Sequence, residues 1–557
     1  MTEFSELASV LDSISATTKR KEKTRLIAGF LKDIHDDDIE IAALLLAGRI
    51  FAESDERTLN MSWAGILGAI QKAMEIDIKE IEKHYKGDAG EAIASVLEST
   101  NIPRQQVLYV EPLTLELVQS TIRRIALSEG KGSKSEREAL LSNLLQSASP
   151  REIRYLVALF LGDMRTGVSD AMLIDGISEA FDIEGDLLRR AWSFSGDIGK
   201  VARVASFSGI EGISKIEIQL FTPIKPMLAT PGDSVGEVLS DVSERYYLEM
   251  KYDGARVQIH KQYEEVRIYS RRLIEVTQSL PEIVKIVNER IKVESVILDG
   301  EIIAVNQEGV PAPFQEVMKR FGRTQEIEDA MAEVQIQLFV FDIILKDSQC
   351  LVDSDYACRR DILESTVPSE LIAPRYTFSS LHEAEEFFES SKASGHEGVM
   401  IKKGSSNYIP GKRGKYWYKI KHTLPTLDMV ILAAEWGHGR RSNWLSDYHL
   451  GVYDEDSGEY IMVGKTFKGL TDKELDTMTK ELQDIAYESK RGLVRVRPEI
   501  VVEVIVSELQ SSSTYDAGIA LRFARIKRIR QDLNPKEILT LKQLEDLFNS
   551  QFDFKAR

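Results

Sequence analysis

The segment Glu249-Met-Lys251-Tyr-Asp-Gly-Ala-Arg256 is the most informative stretch of the sequence. Lys251 follows a strand-like run at residues 247–250, and a glycine suited to a turn leads into a second run at 256–260. A lysine in this position could be a nucleophile whose pKa is lowered by neighbouring cations such as Arg256. An ordinary solvated lysine on a surface hairpin is equally compatible with this segment taken alone.

The region around this hairpin, residues 222–424, is predicted to contain antiparallel sheet. It opens with the proline-punctuated connector Thr222-Pro-Ile-Lys-Pro-Met-Leu-Ala. Short β-branched or aromatic runs bounded by turn residues then predict strands, and two longer stretches predict helices. The predicted strands are 266–270, 296–304, 338–344, 398–402 and 416–421, and the predicted helices are 280–291 and 314–320. This mixture predicts an α+β domain.

Residues 1–221 have the pattern of an all-α domain. Apolar residues recur at helical spacing, as in Ile66, Ile70 and Met74, and almost nothing alternates with period two. Ser149-Pro-Arg-Glu152 predicts the start of a helix, because a serine cap, a proline at the first helical position and an acidic first turn all suit an N-terminus. The sequence therefore predicts an unusually large helical domain in front of the sheet.

Residues 425–557 return to short strands. The strand-like runs are 429–434, 448–453, 460–465 and 500–507, with 454–458 as a hairpin loop between two of them. A short all-β unit with helical insertions fits a small barrel, and the five-stranded nucleic-acid-binding type, the OB-fold, is the expected form.

Composition limits the class of protein. The chain has 71 Lys and Arg against 89 Asp and Glu, a net charge of −18, which argues mildly against a nucleic-acid binder but permits a local basic face. Only two cysteines, Cys350 and Cys358, are present, which excludes a four-cysteine zinc site and a disulfide scaffold. The first residues lack the features of a signal peptide, and no apolar run approaches the ~20 residues of a membrane helix. We therefore expect a soluble protein of the reducing cytoplasm, with no membrane partner.

Other segments of the α+β region carry the residue types that a nucleoside triphosphate site needs. Glu301 and Glu397 each lie at a strand turn, and two carboxylates combined with phosphate oxygens suit Mg²⁺. Phe341 offers an aromatic face for a base, while Lys419 and Lys421 alternate so that both point to one face of a strand. Each carboxylate alone is more often a turn or surface residue. Their occurrence together, in this order, favours a nucleotide site.

These segments resemble the ordered motifs of the covalent nucleotidyltransferase superfamily, which comprises DNA ligases, RNA ligases and mRNA capping enzymes. Lys251-Tyr-Asp-Gly-Ala-Arg256 is similar to its lysine motif, and Arg522-Phe-Ala-Arg525-Ile-Lys-Arg528-Ile-Arg530-Gln-Asp532 to its last motif. The whole chain resembles the archaeal and eukaryotic replicative type of ATP-dependent DNA ligase. The resemblance implies an all-α DNA-binding domain (1–221), a nucleotidyltransferase domain with an ATP-grasp-like antiparallel sheet (222–424) and an OB-fold domain (425–557).

The resemblance also implies a role for each matching residue, with ATP and Mg²⁺ (or Mn²⁺ as a substitute) as cofactors. Lys251 would carry AMP as a phosphoramidate. The last motif departs from the family, because Leu533 follows Asp532 where the family commonly has lysine, and Lys527 and Lys536 are candidates to replace that cation. The other implied roles are Glu249 and Phe341 for adenine, Arg256 and Arg271 for ribose and phosphates, Glu301 for ribose or metal, Glu397 for metal, Arg413, Lys419 and Lys421 for the α-phosphate, and Arg522, Arg525, Lys527 and Arg528 for pyrophosphate.

Nicked duplex DNA would be the substrate, and a monomer is implied. Gln105-Gln-Val-Leu108-Tyr109 resembles a shortened sliding-clamp (PCNA) binding peptide, although a plain loop is the alternative. Wrapping a duplex implies rotations about connectors near Thr222 and Pro425. Basic residues expected to hold DNA phosphates, each of which taken alone is more often a solvated surface group, are Arg123, Arg124, Lys131, Arg165, Arg440 and Arg441.

Four alternatives remain beside a DNA ligase that acts in replication, repair and recombination. An RNA ligase or a capping enzyme shares the lysine motif, but those enzymes resemble the catalytic core without the large helical domain. An NAD-dependent ligase carries a four-cysteine zinc site, which two cysteines cannot supply. A catalytically inactive DNA-binding relative is disfavoured because Lys251, Glu301, Glu397 and Lys419 are all intact.

Overall fold

The computed structural model describes residues 1–551 apart from residues 54, 56, 75, 86–87, 100–111, 241–243, 322, 324, 423, 438–440, 442 and 491. Helices that end at Ser214 are followed by a strand-containing part that begins at Leu228 and by a second strand-rich part that begins at Leu427. This order confirms the predicted fold class, an all-α part followed by an α+β part and an OB-fold barrel.

The helical part buries one large apolar core. The predicted helix start at Ser149 is confirmed, because Ser149 Oγ accepts a hydrogen bond from the Glu152 N–H, the Glu152 carboxylate accepts one from the Ser149 N–H, and Pro150 is the first helical residue. None of the described helices is long and apolar enough to cross a bilayer. The helices are α1 (Phe4–Ala16), α2 (Arg20–Asp33), α3 (Ile39–Leu46), α4 (Trp63–Met74), α5 (Ile78–His84), α6 (Ala89–Ser99), α7 (Leu115–Leu127), α8 (Ser133–Gln146), α9 (Pro150–Leu161), α10 (Asp170–Phe181), α11 (Gly185–Ser195) and α12 (Ile198–Ser214).

Among the described residues, two five-stranded sheets form the central part. Their strands are β1 (Leu228–Pro231), β2 (Tyr246–Lys251), β3 (Ala255–Gln262), β4 (Glu265–Ser270), β5 (Ser295–Val305), β6 (Gln335–Lys346), β7 (Gln349–Cys350), β8 (Arg375–Tyr376), β9 (Gly398–Lys403) and β10 (Arg413–Lys421). The first sheet has the order β1-β10-β9-β2-β8 and the second β4-β3-β5-β6-β7. The strands predicted in this part are present with nearly the predicted bounds, whereas β1, β7 and β8 were not predicted.

The pairing in both sheets is antiparallel except between β1 and β10, which run parallel. Apolar residues of the strands and of the flanking helices form the cores of this part. The flanking helices are α13 (Val235–Val238), α14 (Pro281–Arg290), α15 (Phe314–Met318), α16 (Ile327–Glu333), α17 (Tyr356–Thr366) and α18 (Leu381–Ala393).

The barrel is built around β11, which pairs with β12, β15 and β16. Gly469 is required after β13, because its φ is +117° and a Cβ there would lie 1.9 Å from the carbonyl oxygen of Ile526. The strands are β11 (Leu427–Trp436), β12 (Leu445–Tyr453), β13 (Tyr460–Thr466), β14 (Ala486–Lys490), β15 (Leu493–Val496), β16 (Val501–Ile505), β17 (Glu508–Ser511), β18 (Ile519–Arg522) and β19 (Arg525–Ile529), with helices α19 (Asp472–Asp484) and α20 (Leu541–Gln551).

The connector between the helical part and the sheets is fastened to β3. The Phe221 N–H donates to His260 Nδ1 at 2.9 Å, and the Ile224 N–H donates to Gln258 Oε1 at 2.8 Å. The Gln258 amide in turn donates to the Ile224 carbonyl oxygen at 3.2 Å. The backbone around Thr222, expected to be a pivot, is therefore tied to the central part.

Candidate active site

One face of the first sheet carries Lys251 in a row of charged side chains. Lys251 on β2 and Lys421 on β10 lie on either side of Gly398 on β9. Two residues along each strand, Glu249 and Lys419 occupy the next row. Because side chains alternate along a strand, all four point to the same face.

Glu397 lies directly before β9 and joins the two lysines. Its Oε2 forms an ion pair with Lys251 Nζ, and its Oε1 accepts a hydrogen bond from Lys421 Nζ at 2.8 Å. The backbone fixes this position, since the Glu397 N–H donates to the Lys251 carbonyl oxygen and the His422 N–H donates to the Glu397 carbonyl oxygen, each at 3.0 Å. The carboxylate is therefore held against both ammonium groups.

Carboxylates hold the proton on Lys251. Burial lowers the pKa of Lys251, but the charges of Glu397, Glu301 and Asp253 outweigh it and raise this pKa above its ordinary value. Burial would raise the pKa of Glu397, but the ammonium groups of Lys251 and Lys421 hold it below its ordinary range. The expectation that neighbouring cations depress the pKa of Lys251 is therefore wrong for this structure.

The guanidinium of Arg256 shows why that expectation fails. Its Nε and Nη2 donate to the Asp299 carboxylate at 2.9 and 2.6 Å, and its Nη1 donates to the Met227 carbonyl oxygen at 2.7 Å. The Tyr408 hydroxyl donates to the same carboxylate at 2.7 Å. Asp299 thus offsets the positive charge of Arg256, which also holds the connector through the Met227 carbonyl oxygen.

Glu301 on β5 contributes a second carboxylate near Lys251. Burial raises the pKa of Glu301 to about 7, although the charges of Lys251 and Arg256 oppose this shift. Within the described part of the chain, no hydrogen bond or ion pair engages its carboxylate. Glu301 and Glu397 are therefore two oxygen donors on opposite sheets that both act on the Lys251 ammonium.

Lys419 lies among other cations. Burial lowers the pKa of Lys419, and the charges of Lys251, Lys421, Arg413 and Arg271 lower it further. Arg413 at the start of β10 and Arg271 after β4 are both exposed, so their guanidinium groups remain available to a ligand. Several cations brought together from both sheets form a site suited to a polyphosphate.

Phe341 and Glu249 both contact Lys402 on β9. The Phe341 ring is half-buried, with its centroid 6.2 Å from that of Trp417 and 4.7 Å from the Lys402 ammonium. Glu249 is buried, and its carboxylate contacts Lys402 Nζ at 2.6 Å and the Tyr356 hydroxyl. Lys402 and Tyr356 were not predicted as site residues, although side-chain alternation along β9 places Lys402 on this face.

The basic residues of the last motif lie on the barrel. Arg525 is exposed. Arg522 lies over the ring of Phe314 on α15 of the central part, 5.0 Å from its centroid, and none of the contacts of this group among the described residues reaches Lys251. Arg522 donates to Glu508 at 2.7 Å, while Lys527 (at 2.8 Å) and Arg528 both pair with Glu503.

The residues expected to hold DNA are spread over the helical part and the barrel. Arg123, Arg124 and Lys131 are exposed, and Arg165, at a φ of +50°, pairs with Asp163 at 2.7 Å. Arg441 donates to the Phe467 carbonyl oxygen at 2.6 Å. Arg440 lies outside the described residues, and so do the candidate clamp-binding residues Gln105, Leu108 and Tyr109.

A half-buried lysine held by carboxylates from both sheets, beside a cluster of cations, is the arrangement expected of a covalent nucleotidyltransferase. Family models match three parts of the chain: residues 3–178 as DNA ligase N terminus, 226–421 as ATP dependent DNA ligase domain and 441–533 as ATP dependent DNA ligase C terminal region. The chain therefore belongs to the ATP-dependent DNA ligase family, and it seals nicks in duplex DNA.

Curated relatives match over the full length. The chain is 40% identical over 559 residues to the DNA ligase of Thermococcus fumicolans, covering 100% of both chains. It is 36% identical to the DNA ligase of Archaeoglobus fulgidus, covering 100% of this chain and 99% of the relative. A solved structure titled Pmar-Lig_Pre shares the fold at 16% identity, with a TM-score of 0.58 over 94% of this chain and 99% of that one. Membership of this family sets the RNA ligase, capping-enzyme and NAD-dependent alternatives aside.

Proposed function

We propose that Lys251 is the residue that carries AMP during nick sealing. The observation behind this is its position: a half-buried ammonium on the sheet face, beside two carboxylates and next to Lys419 and Lys421. After losing its proton, Lys251 Nζ attacks the α-phosphorus of ATP, a P–N bond forms and pyrophosphate leaves. An oxygen of the 5′-phosphate at the nick then attacks the adenylate phosphorus and the P–N bond breaks. Finally, the 3′-hydroxyl attacks the 5′-phosphorus and AMP departs.

Glu301 and Glu397 are the residues that we propose as ligands for Mg²⁺, with Mn²⁺ as a substitute. The donor set fits, because Mg²⁺ takes one or two carboxylates together with substrate phosphate oxygens, and the Glu301 carboxylate makes no hydrogen bond or ion pair within the described part of the chain. When bound, the ion would offset charge on the transferring phosphoryl group. Lys251 in turn must be released from Glu397, since only the neutral amine has a lone pair for attack.

The phosphate-binding roles follow the arrangement of cations. We propose that Lys419, Lys421, Arg413 and Arg271 hold the phosphates of ATP, because the charges of the other three all act on Lys419. Phe341 is proposed to stack on adenine, with Glu249 at the edge of the base. The group Arg522, Arg525, Lys527 and Arg528 is proposed to orient pyrophosphate, which requires the barrel to move toward the cleft.

The remaining proposals concern domains and partners. We propose domain boundaries of 1–221, 222–424 and 425–557, supported by the change from helices to strands after Ser214 and by the start of β11 at Leu427. Arg123, Arg124, Lys131, Arg165, Arg440 and Arg441 are proposed to contact DNA phosphates. We also propose that the protein is a monomer, that Gln105, Leu108 and Tyr109 bind a sliding clamp, and that the protein associates with the nucleoid.

Self-adenylylation tests the role of Lys251. The nucleotide-stripped protein is mixed with α-labelled ATP and magnesium, and both the label and the mass of the denatured protein are measured. We expect covalent label on the wild type and none on Lys251→Ala. The control is Lys285→Ala, which removes a lysine that is 72% exposed on α14 and should label like the wild type. Label that persists on Lys251→Ala would show that another residue carries AMP.

A further inference from the structure

The carboxyl-terminal turn of α18 leads directly into Glu397. The Gly395 N–H donates to the Lys392 carbonyl oxygen at 3.0 Å, and the His396 N–H donates to the Ser391 carbonyl oxygen at 2.9 Å. Gly395 has a φ of +75°, the left-handed conformation that commonly ends a helix. Because His396 directly precedes Glu397, the end of α18 fixes the point from which the Glu397 side chain extends.

The same turn holds the end of β10 through the ring of His422, which directly follows Lys421. This ring stacks on Phe388 of α18, with the centroids 4.1 Å apart and an interplanar angle of 17°. Its Nε2 lies 2.9 Å from Ser391 Oγ and 3.1 Å from the Phe388 carbonyl oxygen. The His422 N–H donates to the Glu397 carbonyl oxygen at 3.0 Å. His422 therefore connects α18 to the backbone of Glu397 and to the strand that carries Lys421.

The direction of these hydrogen bonds follows from the single proton of the Ser391 hydroxyl. Ser391 is fully buried, and its hydroxyl donates to the Phe388 carbonyl oxygen at 2.6 Å. The hydroxyl can therefore only accept a hydrogen bond from His422, whose Nε2 must carry the ring proton. A buried hydroxyl that both donates and accepts is held firmly, because the loss of either partner leaves a polar atom unpaired.

Glu397 depends on such anchoring because one carboxylate serves two lysines on different strands. Lys251 on β2 and Lys421 on β10 lie on either side of β9. Glu397 Oε2 pairs with Lys251 Nζ, and Oε1 accepts a hydrogen bond from Lys421 Nζ at 2.8 Å. A bridging carboxylate tolerates little displacement, because each hydrogen bond weakens steeply away from its preferred distance and angle.

We propose that Ser391 and His422 are positioning residues that hold Glu397 between Lys251 and Lys421. Ser391 acts through the carbonyl oxygen at the end of α18, and His422 acts through its own N–H. Without the hydrogen bond between Ser391 Oγ and His422 Nε2, the ends of α18 and β10 are free to shift relative to each other. The carboxylate then no longer reaches both ammonium groups. The consequence for nick sealing rests on the proposed roles of Lys251 and Glu397.

Carbodiimide cross-linking measures the position of Glu397 directly, because this reagent joins a carboxylate to an amine without a spacer and only where the two are in contact. The full-length protein is treated without nucleotide and with a chelator present. The isopeptides that join Glu397 to Lys251 and to Lys421 are then quantified by mass spectrometry. The internal standard is the pair Lys319 and Glu316 at α15, whose Nζ and Oε2 are 2.7 Å apart.

Two variants remove the hydrogen bond between helix and strand. In Ser391→Ala and in His422→Phe, which keeps a ring to stack on Phe388, both isopeptides should fall by roughly fivefold relative to the standard, the order expected from the loss of one buried hydrogen bond. His422→Gln, whose amide donates in place of Nε2, should restore most of the yield. The matched controls are Ser390→Ala and His382→Phe, which change exposed residues of the same helix and should keep the wild-type yields.

Self-adenylylation with ATP shows what the position of Glu397 contributes to the reaction. The half-saturating Mg²⁺ concentration should rise roughly tenfold in Ser391→Ala and His422→Phe, since loss of a group that orients a metal ligand typically costs about 10–100-fold in metal affinity or activity. Saturating Mg²⁺ should restore most of the rate. A rate that Mg²⁺ does not restore, together with wild-type cross-link yields, would show that the two residues are only structural and would overturn the inference.

The two proposals fail in different ways. Wild-type cross-link yields in both Ser391→Ala and His422→Phe would overturn the inference, and so would a wild type that forms the standard isopeptide but not the one between Lys251 and Glu397. Label that persists on Lys251→Ala would remove the proposed function alone, since cross-linking uses neither ATP nor metal. Should His422→Phe fail to fold, Ser391→Ala still decides, because it removes only a hydroxyl group.

Discussion

The ion pair between Lys251 and Glu397 allows the proton affinity of the nucleophile to be predicted. Glu397→Gln removes the negative charge and keeps the side-chain shape, so the pKa of Lys251 should fall. Two unit charges about 4 Å apart attract by about 4 kcal/mol at an effective dielectric constant of about 20. The two side chains are only 19% and 16% exposed, so solvent screening leaves much of this attraction in place, and its loss in the variant should lower the pKa of Lys251.

Competitive labelling measures this pKa. The protein, without nucleotide and with a chelator present, is treated with a trace of acetic anhydride between about pH 6 and about pH 11, a range that spans the titration of an ordinary lysine. The acetylation of Lys251 is read by mass spectrometry of its peptide. In the wild type the midpoint should lie above the ordinary lysine value, because carboxylates stabilise the ammonium form. In Glu397→Gln the midpoint should lie well below that of the wild type.

Glu301→Gln is the matched control. Its carboxylate also raises the pKa of Lys251, but by less than Glu397 does. We therefore expect a downward shift in the same direction that is smaller than that of Glu397→Gln. An unchanged midpoint in Glu397→Gln, or a larger shift in the control, would refute the reasoning.

Two further predictions concern stability. Arg359 is fully buried and donates to Asp342 at 2.8 and 2.9 Å. Arg359→Met should lower the free energy of unfolding by about 3–5 kcal/mol, because it leaves a buried carboxylate without its cation. A urea titration in which the variant matches the wild type would contradict this. Gly469→Ala should lower the Tm of the barrel by several degrees, because the new methyl group meets the Ile526 carbonyl oxygen. Gly458→Ala, in an open loop, is the control and should lower the Tm by less. Equal Tm values for the two variants would contradict this prediction.

The strands around Lys251 could be predicted because their sequences determine them locally. β5 is a run of Val, Ile and Leu bounded by turn residues, and such runs form buried strands wherever the sheet lies. β1 could not be predicted in this way. Its four residues, Leu228–Pro231, become a strand only by pairing with Arg413–Lys419, almost two hundred residues later in the chain, and this parallel pairing leaves no local pattern.

The candidate site was predictable in its residues but not in their charges. Lys251, Glu301 and Glu397 were identified from motifs, but the sequence does not tell which charges meet. In the structure, Lys251 pairs with a carboxylate 146 residues away, and Arg256 pairs with Asp299. Because of these two pairings, the pKa of Lys251 is raised instead of lowered. Pairing between distant residues is decided by tertiary packing, which lies beyond any local motif.

The fastening of the connector determines where the helical part can swing. Phe221 and Ile224 are hydrogen-bonded to β3, and Met227 is hydrogen-bonded to Arg256. The connector residues 221–227 should therefore move together with the sheet that carries β3. Rotation of the helical part must therefore take place in backbone before Phe221, where Ile216, Ile218 and Leu220 pack against the same apolar cluster as Ile297 and Ile344. A chimera that exchanges the helical part between ligases should accordingly be spliced within 215–220. A junction at 222–227 would separate the connector residues from the β3 residues to which they are bonded.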